Sequence, residues 1–558
     1  MKKVYLFLLL LFLSATCCFS QKNLTLLSIY TVSPGLTYAG VYHYDDSLGN
    51  EYALLGTNHG LTIVDITNPA SPQHIFDVPN SVSEWREVKV WSHYAYFSSE
   101  GGHLGGGGIT IVDLSTLPAA PAYKKYIGDG AIDSLLSTAH TVEIAGGYLY
   151  INGARRPNGQ YLENGGCIIC SLANPWNPAF VGAYTLNYVH DCFVRGDTLV
   201  TSEIFANPAG EFAIVNISDK ANPVLLTTNP TPFKFNHNTW MSDDDHYLFT
   251  TDEKPDAPLG SFDISDLSNI QQVDLYWTSK NPVGEVHNVR VLNDFLINAC
   301  YGDATHTGPQ VTLVDASRPA NLIEVGNYPL NPTPVTRISW DVDPYLQSGN
   351  IIATEYVNGL FVFAPTYIRA CHLEGTVTDS ITGASLNDVK IQILRLPEDT
   401  SVLATDSSLF TGSYKTGLAD SGTYDIRFSP SAALADSGYV GKTTTGVVLT
   451  NGVLTTLNVK LHKQINGLHE KTVAPPLFHA YPNPAHSNLS VIIDPSVLNA
   501  NHHLRFLMTD ATGRTVREVT DVTQSTITID RSGIANGSYN LQLTDNEIKI
   551  AEVNIILQ

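Results

Sequence analysis

Basic charge, cysteine and long apolar runs are all scarce in this chain. Its 558 residues carry 31 Lys and Arg against 53 Asp and Glu, giving a formal charge of −22 and a pI near 5.1. Nucleic acid and anionic lipid both need a basic footprint, so neither is predicted as a partner. Of the seven cysteines, Cys17 and Cys18 fall in the first twenty residues, and the rest are too sparse for a disulfide framework. Cys167 and Cys170 lie in the apolar stretch CIIC, where positions three apart on a strand face opposite ways, so buried core is expected there rather than a metal or redox pair. Beyond the first twenty residues no stretch is apolar enough to span a bilayer, and no transmembrane segment is predicted. No Gly-x-Ser-x-Gly elbow or phosphate-binding loop occurs. Helical periodicity is missing too, which leaves an all-β chain.

The first twenty residues have the parts of a signal peptide: Lys2 and Lys3, the apolar run Val4–Leu13 and a small-residue exit at Ser20. The residues before Cys17 and Cys18 lack the Leu-x-small triplet of lipid attachment, so cleavage before Gln21 is expected.

What is abundant is repetition. GLTIVDITNPASP (60–72), GITIVDLSTLPAAP (108–121), GCIICSLANPWNP (166–178), FAIVNISDKANP (212–223), SFDISDLSNI (261–270), VTLVDASRPAN (311–321) and GLFVFAP (359–365) are versions of one element. Between them recur paired strand patterns headed by Arg86, His140, His190, His237, His287 and Arg337, at a spacing of roughly fifty residues. Four antiparallel strands per repeat make the blade of a β-propeller. The seventh copy lacks a fourth strand, and LTLLSIYTV (24–32) precedes the first copy unpaired. The amino-terminal strand is therefore expected to complete the seventh blade and close the ring, leaving no open edge.

After Cys371 the pattern changes to strands with Gly and Asp turns. The predicted fold is a seven-bladed β-propeller (21–368) followed by two small β-sandwich domains, at 371–462 and 478–558, with a linker at 463–477. GGHLGGGG (101–108) reads as a mobile loop, and DDDH (243–246), which lacks calcium-loop spacing, as a solvated turn.

The motif G-L-x-I-V-D-I-[ST]-x-P-x-x-P resembles the LVIVD-type propeller repeat, and the run from about 24 to 366 resembles the choice-of-anchor B family of secreted propellers. That likeness brings no activity with it. GTVTDSITGASLNDVKI is similar to carboxypeptidase regulatory-like domains, which are transthyretin-like accessory sandwiches. YPNPAHSNLSV (481–491), DATGRTV (510–516) and GIANGSYNLQL (533–543) resemble a type A sorting domain of the type IX secretion system of Bacteroidota. The resemblance implies that 478–558 engages that machinery and is then removed, leaving a protein released from the cell or attached to its surface.

In a propeller the head of each inner strand lies close to the end of the second strand of its own blade. Here those ends carry Glu100 after Arg86, Asn152 after His140, Glu203 after His190, Asp252 and Glu253 after His237, Asp303 past the end that follows His287, and Glu355 in the seventh blade. Imidazoles and carboxylates should therefore gather at one mouth. In one reading His190, Glu203, His237, Glu253 and His287 supply ligands to a zinc-like divalent metal that activates water. In the other, each histidine ties an inner strand to a loop and holds nothing. Arg86, Glu100, His140, Arg337 and Glu355 are candidates to line a ligand-binding mouth. The leading functional reading is an exported binding module for an extracellular protein or glycan. A metal-dependent hydrolase comes second, and a purely structural surface component third.

Overall fold

A computed structural model describes residues 22–102, 108–278, 285–302, 309–329, 337–395, 401–464, 476–498, 503–546 and 548–558. Residues 1–21, residues 103–107 of the glycine-rich stretch, Asp303 and most of the segment 463–477 lie outside them.

The repeated motif is a third strand with a built-in reversal. Tyr38–Asp45, Glu51–Thr57, Gly60–Asp65 and Gln73–Pro79 form an antiparallel sheet in chain order. Asp65, at the end of the third strand, accepts a hydrogen bond from the Thr67 amide at 2.9 Å. Asp113, Asn216, Asp263 and Asp315 each do the same two residues on, at 2.8–3.0 Å. This Asx turn sends the chain back toward the fourth strand, which is why an acid or amide recurs at that place. Middle strands such as Glu51–Thr57 are buried throughout and carry an apolar centre, Tyr52–Leu55, whereas the outer strand Val224–Pro230 is mostly exposed.

The same four-strand order recurs in the sheets that begin with Val88–Trp91, Thr141–Ala145, Asp191–Arg195 and Asn236–Met241. The next unit comprises Glu285–Leu292, Phe295–Gly302, Pro309–Asp315 and Ile323–Pro329. The last comprises Arg337–Asp343, Ile351–Glu355 and Gly359–Pro365, completed by Leu24–Tyr30. Leu24 lies opposite Pro365 and Tyr30 opposite Leu360, so the unpaired amino-terminal strand sits where the repeat count predicts. These last two units merge into an eight-stranded sheet, because Tyr301 and Gly302 pair with Ile338 and Arg337. The first strands neighbour one another in chain order, and Arg337–Asp343 in turn neighbours Tyr38–Asp45. This arrangement of repeated four-stranded sheets is propeller-like.

Beyond Cys371, two further four-stranded sheets share one core that includes Leu373, Ile391, Ile426 and Phe428. The carboxy-terminal segment likewise packs a three-stranded sheet on a four-stranded one around Val491, Phe506, Leu541 and Ile555. Cys167 and Cys170 are free and buried and DDDH is an exposed turn, both as predicted, and Cys192, Cys300 and Cys371 are free and buried as well.

The repeated sheets meet the next unit through Asp315, which is fully buried and accepts from Arg369 Nη1 at 2.9 Å and the Ala370 amide at 2.6 Å. Burial pushes this carboxyl up, but the His372 ring and the Ser317 and Ala370 amides outweigh it and hold it well below the usual range. Asp315→Asn is expected to cost about 1.5–3 kcal/mol, the worth of hydrogen bonds to a charged group. Because the folded carboxyl titrates below its unfolded value of about 3.9, its contribution is present above that pH and lost as pH falls further. Denaturant melts of both proteins between pH 7 and 3 should show the gap closing only at the acid end.

Candidate functional site

His140 and His190 stand immediately before their inner strands, with their amides bonded to the carbonyls of Asn152 and Ser202 at 2.9 and 2.8 Å. His237, His287 and Trp340 arrive differently: each is the extra residue of a β-bulge, at the register shifts between Asn236 and Asn238, Val286 and Asn288, and Ser339 and Asp341. A bulge re-aims a side chain that the strand would otherwise turn elsewhere. The imidazoles of His140, His190, His237 and His287 consequently follow one another at centroid separations of 4.1, 4.5 and 4.1 Å. Tyr301 stacks on the last ring at 4.0 Å.

The partners of these rings set where their protons lie. The Glu100 carboxylate can only accept, so His140 donates to it from Nδ1 at 2.7 Å. In the neutral tautomer of His140 that this bond selects, Nε2 accepts from His190 Nε2–H at 3.2 Å. That leaves a lone pair on His190 Nδ1, which is buried without a hydrogen-bond partner. His237 donates from Nδ1 to the His287 carbonyl at 3.0 Å and keeps its Nε2 lone pair. His287 is used on both sides: Nδ1 donates to the Trp340 carbonyl at 2.6 Å, and Nε2 accepts from the Tyr301 hydroxyl at 2.7 Å. Glu253 reaches between His237 and His287, with a carboxylate oxygen 3.9 Å from Nε2 of each.

Of the predicted site residues, Glu100, His140, His190, His237, Glu253 and His287 come together, and Arg86 lines the same cavity. The pairing differs from expectation, because Glu100 reaches the histidine of the following unit rather than Arg86. Arg86 donates from Nε and Nη2 to the carbonyls of Thr57 and Ser81, and its Nη1 has no partner. Burial pulls the Arg86 guanidinium down to about 10. Glu203 does not join the histidines; it is buried among Tyr184, Asn187 and Thr201, each of which donates to it. Asp252 accepts the Phe233 and Phe235 amides at 2.9 and 2.8 Å, Asn152 donates to Thr141, and Glu355 accepts the Val357 amide at 3.0 Å. Arg337 opens its strand, but its side chain lies outside the described residues; Trp340 occupies the bulge position that corresponds to His287.

Below the histidines lies a charged cluster that sequence reasoning missed. Arg290 Nη2 is 2.9 Å from Asp341 and 3.7 Å from Glu87, which belongs to a distant repeat, so these side chains meet across the axis. Lys89 pairs with Glu87 and lies 3.8 Å from Glu143, while Asn238 donates to Asp191 at 2.6 Å. The signal was present: Val88-Lys89-Val90, Val142-Glu143-Ile144 and Val289-Arg290-Val291 each set one charge within an apolar inner strand.

Between these layers is a cavity of about 40 Å3, bounded by Arg86, His140, His190, His237, Glu253 and His287 among others. At about 10–15 Å3 per water this is room for an ion with one or two waters. A larger cleft of about 740 Å3 separates the repeated sheets from the next unit, and among its charged residues Lys22, Asp274, Glu324 and Lys415 are already hydrogen-bonded. The small cavity is where unsatisfied polar atoms converge.

Burial, followed by the neighbouring imidazoles, holds His190 well below the usual histidine range; burial and His237 do the same to His287. Both stay neutral in the folded protein while the unfolded chain takes up protons near pH 6.5. Their stabilising contribution is therefore complete above that pH and lost as pH falls, by up to about 2.7 kcal/mol per pH unit for two groups. Denaturant melts at pH 7, 6 and 5 should show this decline, and His190→Gln with His287→Gln should flatten it.

Residues 479–557 match the secretion system C-terminal sorting domain. This chain carries a type IX sorting domain. Such domains mark proteins exported by that system and then released or attached to the cell surface, and among the described residues no helix is long and apolar enough to cross a membrane. LVIVD repeats match residues 47–79 and 205–231. No curated protein matches the chain. Among solved structures, a protein from Lactobacillus plantarum is 11% identical, with a TM-score of 0.41 over 68% of this chain and 98% of that one. Two proteins provisionally described as 6-phosphogluconolactonases are each 9% identical. The one from Bacteroides uniformis ATCC 8492 has a TM-score of 0.41 over 68% of this chain and 98% of its own. The one from Bacteroides fragilis NCTC 9343 has a TM-score of 0.38 over 57% of this chain and 87% of its own.

Proposed function

We propose that the mature protein is an exported seven-bladed β-propeller (21–368) that binds an extracellular protein or glycan at its histidine-lined mouth. A carboxypeptidase regulatory-like sandwich (371–462) acts as spacer, residues 463–477 as linker, and 478–558 as the removable export signal, behind a signal peptide at 1–20. The architecture is that of a choice-of-anchor B protein. One observation carries the binding role: Arg86, His190 and Asn288, from three separate repeats, line one cavity, and their Nη1, Nδ1 and Oδ1 atoms are buried without hydrogen-bond partners among the described residues. Buried polar groups are almost always satisfied, so three together point to something that completes them.

Aromatic side chains support a ligand larger than water. Trp85 borders the cavity and is 44% exposed, and Tyr188, whose ring lies 6.4 Å from that of His190, packs against Tyr161 and Phe205 at ring separations of 5.3 and 5.2 Å. Rings of this kind are the usual anchors of recognition surfaces. The test is glycan-array and pull-down binding by the mature chain, with Trp85→Ala and Phe205→Ala as variants. Binding weakened about tenfold or more by either change supports the reading, and equal binding by wild type and both variants sinks it. The second reading, a metal-dependent hydrolase, is favoured by His190, His237 and Glu253, whose ligand atoms lie within 4.8 Å of one another. It needs an ion first.

A further inference from the structure

We propose that the mouth is built around one zinc-class divalent ion, held by His190 Nδ1, His237 Nε2 and a carboxylate oxygen of Glu253. The inference rests on the mouth being the ligand-binding pole and adds the ion through which that pole works.

The donor set follows from the hydrogen bonds. Both imidazoles have their other nitrogen committed to an outer partner: His190 Nε2 to His140, which is fixed in turn by Glu100, and His237 Nδ1 to the His287 carbonyl. Metal-bound histidines almost always have such an outer partner, because it fixes the tautomer and points the bare lone pair at the ion. His190 is more than nine-tenths buried, and among the described residues its Nδ1 meets no donor that would use that lone pair. His287 is excluded as a ligand, since Tyr301 already donates to its Nε2.

Two imidazoles and one carboxylate suit zinc and its neighbours rather than magnesium or calcium, which favour oxygen alone. With bonds of about 2.1 Å, a tetrahedral ion sets its ligand atoms about 3.4 Å apart. One ligand atom each from His190, His237 and Glu253 lies within 4.8 Å of the others, so binding draws the three side chains inward. Glu253, whose side chain is 33% exposed, is the arm free to move. Three protein ligands leave a fourth position open toward the cavity, where water or an oxygen of the bound ligand would sit.

The experiment uses the untagged mature chain, stripped with chelator and titrated with cobalt(II) alone, then with competing zinc(II). Saturation of tetrahedral cobalt absorption at one equivalent is expected, followed by displacement by zinc. His190→Ala and His237→Ala should each weaken binding at least a hundredfold, and Glu253→Gln and Glu100→Gln by roughly 10–100-fold. His287→Gln keeps a donor for Trp340 and an acceptor for Tyr301 and should stay within about threefold, a difference that a merely structural histidine stack would not produce. If the alanine variants fail to fold, Glu253→Gln and Glu100→Gln decide the matter. Absence of saturable cobalt binding, or binding unchanged in both glutamine variants, overturns the ion. Protein or glycan capture by the chelator-stripped chain separates the two readings: capture that persists while cobalt fails leaves the mouth standing without its metal.

Discussion

Deleting residues 22–32 is expected to abolish the single cooperative unfolding transition of the repeated sheets and to make the protein aggregate. Leu24–Tyr30 supplies the outer strand of the last sheet, and its surroundings tie three units together. Lys22 exchanges backbone hydrogen bonds with Asn327 in the preceding unit, and Asn23 donates to the Val325 carbonyl at 2.6 Å. Ser28 donates to the Pro69 carbonyl of the first unit at 2.6 Å. Losing buried Leu24 costs about 2 kcal/mol, and each backbone hydrogen bond about 1 kcal/mol. The sum is on the order of 5 kcal/mol or more, comparable with the whole stability of a domain. The deletion also bares the edge of Gly359–Pro365, a ready template for pairing with other chains. Size-exclusion chromatography and thermal melts of the deleted and intact mature chains test this. A monomeric variant melting with the wild type would mean that the strand closes nothing.

That strand was legible in the sequence because the reasoning needs only counting: seven third-strand motifs and six fourth strands leave one place, and LTLLSIYTV is the spare. The turn chemistry was equally local, since Asp65 and its counterparts act on amides two residues away. What the sequence hid depends on register and rotation between sheets. His140 and His237 look alike as strand heads, yet one precedes its strand and the other is the extra residue of a bulge, and nothing in the neighbouring residues of either distinguishes them. Glu100 was assigned to Arg86 by intrachain proximity, but the rotation of adjoining sheets carries it to His140. Glu203 fails for a related reason, as Tyr184, Asn187 and Thr201 of its own unit claim it first. The convergence of the histidines was therefore readable, while the identity of each partner was not.

Replacing Arg290 by Met should destabilise the protein by about 3–5 kcal/mol, because truncating one member of a buried ionic cluster strands the others. Arg290 is 3% exposed, sits 2.9 Å from Asp341 and 3.7 Å from Glu87, and lies over the Trp240 ring at 4.8 Å. Met fills much of the same volume, so the loss isolates charge rather than packing. Combining Arg290→Met with Asp341→Asn removes the stranded carboxylate, and the pair should cost at least about 2 kcal/mol less than the sum of the single changes. pH supplies an independent check. Burial pushes Glu87 up even in the intact protein, and without the guanidinium it rises further. A carboxyl whose folded value is raised loses its stabilising contribution as pH rises, and with Glu87 pushed up to about 8 in the intact protein, the deficit of Arg290→Met should shrink as pH falls from about 9.5 toward 7. A variant equal to wild type at pH 8 would mean that the axis beneath the histidines is wet. In that case Glu253 and the histidines would face solvent from two sides, and the charged cluster would not close their cavity from beneath.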